Sequence, residues 1–245
     1  MPSLEPFQRA IAPVISPFFR VYPYRGAMPI TRADARGAVS EADRFFYNRT
    51  PKVANSTIME SLARASAARQ GVDVGAHPKG FFARPSKVSS AVARAIPEGY
   101  FKFVFTRDPT TRTLSAYLDK IGKGSRKHLY AAWAKRVGSV EDPSFEQFLE
   151  YLADGGLYDD PHWAPQTDCL LIPLENFDFV GRFERLGEDL PHVLNRVFDA
   201  EKPVHRAGPS SKGKTIVEAH MTPRATTLLG QLFAHDYEAM GYPAP

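Results

Sequence analysis

The chain has 245 residues, 43% hydrophobic and 24% charged, which fits one compact globular α/β domain and excludes a disordered or fibrous chain. A formal charge of +4 suits an anionic ligand, but the basic residues are scattered rather than gathered into a footprint, so no nucleic-acid partner is expected. The one cysteine, Cys169, excludes an intrachain disulfide and a cysteine metal cage, and no ligand spacing suggests a metal, so none is expected. No run reaches the length of an integral membrane segment, and the start lacks the basic and apolar regions of a secretory signal. The expectation is a soluble protein of a reducing, cytoplasmic compartment.

Residues 1–41 are proline-rich and lack sustained periodicity despite Phe18, Phe19, Tyr22 and Tyr24, and read as an N-terminal extension preceding a domain at 42–245. Arg44-Phe45-Phe46-Tyr47 suits the first buried strand. It leads into Pro51-Lys52-Val53-Ala54-Asn55-Ser56-Thr57. Thr57 with Glu60 has the capping-box pattern, and Ile58, Met59, Leu62 and Ala65 form a helical stripe. Strand, lysine loop and helix start together gather N–H groups, a helix dipole, an ammonium and hydroxyls, a combination that suits phosphate or sulfate. The plainer reading is a loop lysine with Ser56 and Thr57 as caps, but capping alone needs no lysine.

From Gly71 the chain predicts a short strand ending at His77, then a helix with Val88, Ala91, Val92 and Ile96, broken by Pro97 and Gly99. Phe101, Phe103 and Phe105 alternate along a strand whose other face carries Val104, so it is expected to be buried on both faces of a parallel sheet. Asp108 is a good N-cap and Pro109 suits the first helical position. Arg107 therefore stands where a strand ends and a helix begins, the edge where open sheets bind ligands, and Ser115 lies about two turns on. Against this, Arg107 could pair with Asp108 or Asp119 and Ser115 could be a small helix residue.

That helix should end near Gly122. The basic run Lys123–Lys127 reads as a solvated loop. Two packing helices follow, one with Leu129, Trp133 and Val137, the other with Phe145, Phe148, Leu149 and Leu152. A polar segment from Asp159 to Gln166 holds His162 and Trp163. Apolar runs at Cys169–Ile172 and Phe177–Val180 come next, the second ending at Gly181-Arg182-Phe183-Glu184. Arg182 and Glu184 read as a structural pair. A Gly-Pro-Ser-Ser-Lys-Gly-Lys loop at 208–214, with Ser210, Ser211 and Lys212, leads to a last helix from Thr222-Pro223 to Gly241.

Two anion sites at one sheet edge ask for a ligand with two separated anionic groups. The G-x-x-x-x-G-K-[ST] signature is absent. The motifs P-K-V-A-N-S-T (51–57), K-F-V-F-T-R-D-P-T-T-R-T-L-S-A-Y (102–117), H-W (162–163) and F-V-G-R-F-E (179–184) resemble the carbohydrate sulfotransferases that use 3′-phosphoadenosine 5′-phosphosulfate, in particular the chondroitin 4-O- and heparan 2-O-enzymes. The likeness covers about residue 44 to the end. It implies a central parallel sheet flanked by helices, akin to P-loop nucleotide kinases. It also implies that Lys52 and Ala54, Asn55, Ser56 and Thr57 bind the 5′-phosphosulfate, and that Arg107 and Ser115 bind the 3′-phosphate. Asn55 departs from a position often Cys or Gly. Cys169 lacks the cysteine partner of Golgi relatives, which points to a bacterial-type, cytoplasmic member.

The resemblance further implies sulfuryl transfer to a glycan hydroxyl, with Lys52 stabilising the leaving phosphate and a histidine as base. His77 is first in line by its position in the chain. His162 is the rival, beside a Trp163 that could stack on a sugar, and Asp160 stands behind both. A kinase-like phosphoryl transferase and a non-catalytic nucleotide-binding protein are the alternatives. The acceptor's identity and any homo-oligomer are left open.

Overall fold

Four strands form one sheet: β1 (Gly37–Ser40), β2 (Phe45–Asn48), β3 (Phe101–Thr106) and β4 (Phe179–Arg182), in that spatial order. The structure, a computed structural model, describes residues 5–138, 141–199 and 217–245. These fall into two compact units, residues 5–106 with 169–199 and residues 107–168 with 217–245. In chain order the helices are α1 (Glu5–Ile15), α2 (Pro17–Val21), α3 (Ile30–Asp34), α4 (Asn55–Gln70), α5 (Ser90–Gly99), α6 (Pro109–Ala116), α7 (Lys127–Val137), α8 (Phe145–Ala153), α9 (Leu186–Phe198), α10 (Pro223–Leu232) and α11 (Ala234–Met240). Among the described residues, no helix is long and apolar enough to cross a membrane.

The sheet belongs to the first unit. β2, β3 and β4 run parallel, with Tyr47 opposite Phe103 and Phe105 opposite Gly181. Alternation then sorts the side chains. Phe45, Tyr47, Phe103 and Phe105 meet Ile58, Met59 and Leu62 of α4 and Leu190 and Val193 of α9. Tyr47 and Phe103 stack at 4.9 Å. On the other face Phe46 packs on Phe18 of α2, at 5.5 Å. Burial of β3 on both faces, expected from its phenylalanines, is observed along the strand. Gly181 has a packing reason: a Cβ there would lie 2.6 Å from the Phe105 ring.

Several expectations are corrected. β1 lies inside the stretch read as an extension and pairs antiparallel with β2, so the sheet is mixed and starts before Phe45. Gly-Ala-Val-Ser is too short and too small to show a period, and Gly37 is needed because a Cβ would meet Pro85 at 2.1 Å. No strand precedes His77, which is exposed in an irregular segment rich in small and polar residues. α5 continues through Pro97 to Gly99 and buries Ala93 rather than Ala91. The last helix divides at Phe233 into α10 and α11.

A lysine also sits inside β3. Lys102, 6% exposed, pairs through Nζ with Asp178 at 2.9 Å and donates to the carbonyls of Pro97 and Tyr100. A buried ammonium is tolerable only with such partners.

In the second unit Asp108 caps α6, accepting from Thr111 N at 2.8 Å, with Pro109 at the first helical position as expected. The helix runs on as a π-helical turn over Tyr117–Gly122. A Ser144–Gln147 capping box starts α8. Tyr117, Phe145, Phe148 and Trp163 form its aromatic centre.

Phe103→Ala should lower the unfolding free energy by about 3–5 kcal/mol, the usual cost of emptying a buried phenylalanine site. Urea denaturation measures it, and a loss under about 1 kcal/mol would contradict the central place given to β3.

Candidate active site

In the first unit β2 ends at Asn48, whose amide accepts from Leu171 N (2.7 Å) and donates to Cys169 O (3.0 Å). The chain then turns tightly. Lys52 and Ala54 both adopt left-handed backbone (φ 66° and 49°), while Pro51 and Val53 are buried and anchor the turn. Left-handed residues other than glycine cost on the order of 1–3 kcal/mol each and cluster at functional sites. Ala54 is the N-cap of α4 and supplies no side-chain cap; the first helical bond runs from Ile58 N to Ala54 O at 3.1 Å. The N–H groups of Asn55, Ser56 and Thr57 therefore precede the hydrogen-bond ladder, at the positive end of a 16-residue helix. Thr57 is not the cap that its spacing to Glu60 predicted, because a left-handed Ala54 starts the helix earlier. Lys52 is half-buried beside this start.

Arginines not singled out in the sequence group around Arg49, next to the turn. Arg49 donates from Nε to Asn55 Oδ1 at 3.3 Å and from its backbone N–H to Arg36 O. Burial pushes the Arg49 pKa down, Tyr47 opposes this, and the charges of Arg36 and Arg84 push it down further. The charges of Arg36 and Arg84 near Arg49, which itself bonds the first residue of α4, favour an anion there. Arg36 and Arg84 stand in loops far from Arg49 in sequence, so no local pattern marks them.

The second unit holds the other motif. The Gln166 side chain, 0% exposed, brackets the Arg107 backbone: Oε1 accepts from Arg107 N (3.0 Å) and Nε2 donates to Arg107 O (2.8 Å). Arg107 Nε donates to Thr111 Oγ1 at 3.2 Å. Thr111 and Ser115, four residues apart, share a face of α6, so this spacing brings Arg107 and Ser115 into one file. Thr111 was not anticipated.

His162 lies in the same unit, 25% exposed, with Nδ1 hydrogen-bonded to Asp160 Oδ1. Asp160 also accepts from His162 N (2.9 Å) and pairs with Arg126 Nε (2.9 Å). Burial alone would raise the Asp160 pKa, but the His162 and Arg126 bonds outweigh it and hold the carboxyl well below the usual carboxylate range. A carboxylate on Nδ1 fixes the imidazole and leaves Nε2 for proton transfer. Arg112, wholly buried, holds the same turn by donating to Ala164 O (2.8 Å) and Pro161 O (3.5 Å).

Trp163 cannot stack on a sugar as expected: it is 0% exposed, packed edge-on against Phe148, with Nε1 bonded to Gly156 O. His77 is exposed, and no side-chain hydrogen bond fixes its ring among the described residues. Within the run read as a solvated loop, Arg126 is held by Asp160 and Lys127 by Asp142. Ser210, Ser211 and Lys212 lie outside the described residues.

The family model described as "Sulfotransferase family" matches residues 36–243. The chain belongs to the sulfotransferase family. It is 33% identical to carbohydrate sulfotransferase 14 of Mus musculus over 180 residues, 65% of this chain and 46% of that protein. The human carbohydrate sulfotransferase 14 is 30% identical over 239 residues, 84% of this chain and 60% of that protein. Carbohydrate sulfotransferase 10 of Xenopus laevis is 26% identical over 242 residues, 84% of this chain and 67% of that protein. The chain spans 46% to 60% of the length of these sulfotransferase 14 relatives. No solved structure matches it significantly.

The depressed Asp160 pKa gives a pH dependence with a definite sign. Its stabilisation is present above the unfolded value, 3.8, and is lost as pH falls through the lower folded value. Urea denaturation from about pH 5 down to about pH 2 should show the wild type losing more stability than Asp160→Asn; equal losses would contradict the assigned bonding.

Proposed function

We propose that the chain transfers a sulfuryl group from 3′-phosphoadenosine 5′-phosphosulfate to a hydroxyl of a carbohydrate acceptor. The observation that carries this reading is the left-handed Lys52–Ala54 turn, which opens α4 on N–H groups without a side-chain cap just after the half-buried Lys52. That donor set fits a tetrahedral anion. The carbohydrate class rests on the names of the relatives. The donor supplies a sulfuryl group already activated on a phosphate.

Lys52 and the N–H groups of Asn55, Ser56 and Thr57 stabilise the charge that develops on the leaving phosphate. Arg107, with Ser115 on the α6 face, holds the 3′-phosphate by charge-assisted hydrogen bonds. His162 Nε2 takes the acceptor proton as the acceptor oxygen bonds to sulfur and the bond from sulfur to the phosphate oxygen breaks, that oxygen keeping the electron pair. Asp160 keeps the ring oriented and stabilises the imidazolium formed. The Arg36, Arg49 and Arg84 group favours an acceptor that itself carries carboxylate or sulfate.

Transfer of radiolabelled sulfuryl from the donor to neutral and acidic oligosaccharides tests the reading. Lys52→Ala should lower kcat on the order of a hundredfold to a thousandfold. His162→Ala should lower it by about a hundredfold or more, and His77→Ala by less than about threefold. Absence of transfer to any carbohydrate would sink the assignment; loss with His77→Ala but not His162→Ala would move the base to His77.

A further inference from the structure

A second concavity lies wholly within the first unit, at the opposite edge of the sheet from Lys52. Arg44 immediately precedes β2, Phe101 opens β3 and Asp178 immediately precedes β4; all three line a cleft of about 1130 Å³. Arg69 of α4 and Arg196 of α9 line it too. The transfer chemistry does not use this edge, and of the motif residues Lys102, paired with Asp178, is the one that lines it.

The cleft's lining sets Arg44, Arg69, Lys102 and Arg196 against Asp43, Glu98 and Asp178, a formal excess of one positive charge. Asp178 is paired with Lys102, and Asp43 accepts from the hydroxyls of Ser40 and Ser66. Glu98 is exposed and has no ion pair among the described residues. Arg44 gives Nε to Gly99 O (3.1 Å), and Arg69 reaches Val197 O at 3.5 Å. Arg44 lies over the Tyr100 ring at 5.9 Å and Arg196 over Phe101 at 5.4 Å. None of the three arginines is ion-paired among the described residues, and these contacts leave most of each guanidinium's donors unused. Arg69 and Arg196 occupy the last turns of α4 and α9, where any cation is favoured. That preference explains each singly, but not their convergence with Arg44, which lies outside any helix.

The rings indicate the ligand. Tyr100 and Phe101 are each covered by a guanidinium, and Phe101 also stacks on Phe103 at 5.5 Å. Little ring face is left for a nucleobase, whereas guanidinium forks match sulfate and carboxylate. We propose that this cleft binds an acidic oligosaccharide, its anionic groups bridging Arg44, Arg69 and Arg196, as a second glycan site apart from the site of transfer. The choice of a glycan rests on the carbohydrate acceptor proposed above; the preference for an anionic ligand does not.

The test is calorimetric titration of the full chain, saturated with adenosine 3′,5′-bisphosphate, with a heparin-derived octasaccharide. Arg69→Gln/Arg196→Gln should weaken binding roughly tenfold or more, and Glu98→Gln should tighten it about twofold to fivefold. The three positions are exposed, so losing the last-turn charges and the Arg196–Phe101 contact should lower the melting temperature by no more than a few degrees. The proposal is overturned if the wild type does not bind the octasaccharide, or if the double variant binds within about twofold of wild type. It is also overturned if Arg49→Gln/Arg84→Gln, and not the cleft variant, abolishes binding. Nucleotide binding, titrated separately, reports on the transfer site, so its failure would leave the cleft result standing.

Discussion

The first unit depends on one strand being paired on both edges and covered on both faces. Phe101–Thr106 gives its backbone hydrogen bonds to β2 on one side and β4 on the other, and its rings to the α4 and α9 layer. With the strands parallel, their carboxyl ends share an edge, and the loop after β2 leaves from it. The tight turn at Lys52 follows: it must reverse from strand to α4 within residues 49–54 while keeping Pro51 and Val53 buried. Left-handed backbone at Lys52 and Ala54 is the cost, offset by the packing of Val53 into the same core. Strain of this kind, held by a rigid core, presents helix-start N–H groups without asking for a glycine-rich loop.

The second unit is held by buried polar side chains rather than by sheet pairing. Asp236 of α11 accepts from Gln166 N (2.6 Å) and from Thr167 N and Oγ1, while the Gln166 amide brackets Arg107. Arg112 clamps the turn that carries His162. Fully satisfied networks of this sort fix one arrangement, because any member left unpaired in the interior is expensive. Arg107 and the His162 turn are thus positioned by Gln166 and Arg112, side chains wholly buried in this unit.

What the sequence reveals follows from the range of the physics involved. Local rules work: alternating phenylalanines give β3, and Asp108-Pro109 gives the start of α6. Long-range rules do not show. Gln166 meets Arg107 across 59 residues, and Arg36 and Arg84 gather at Arg49 only once β1 is in place. Ala54 has no local signal for left-handed backbone, so a capping-box pattern three residues later looked like the helix start. A Trp beside a His in a polar stretch looks exposed, yet Trp163 is buried because Phe148 and Gly156 receive it.

The central claim is that the nucleotide carries a 3′-phosphate held by Arg107. Calorimetric binding of adenosine 3′,5′-bisphosphate and of ADP, for the wild type and Arg107→Ala, tests it most directly. The account predicts that the 3′-phosphorylated nucleotide binds at least roughly tenfold tighter than ADP and that Arg107→Ala removes the preference. Equal or tighter binding of ADP, unchanged by the substitution, would contradict it.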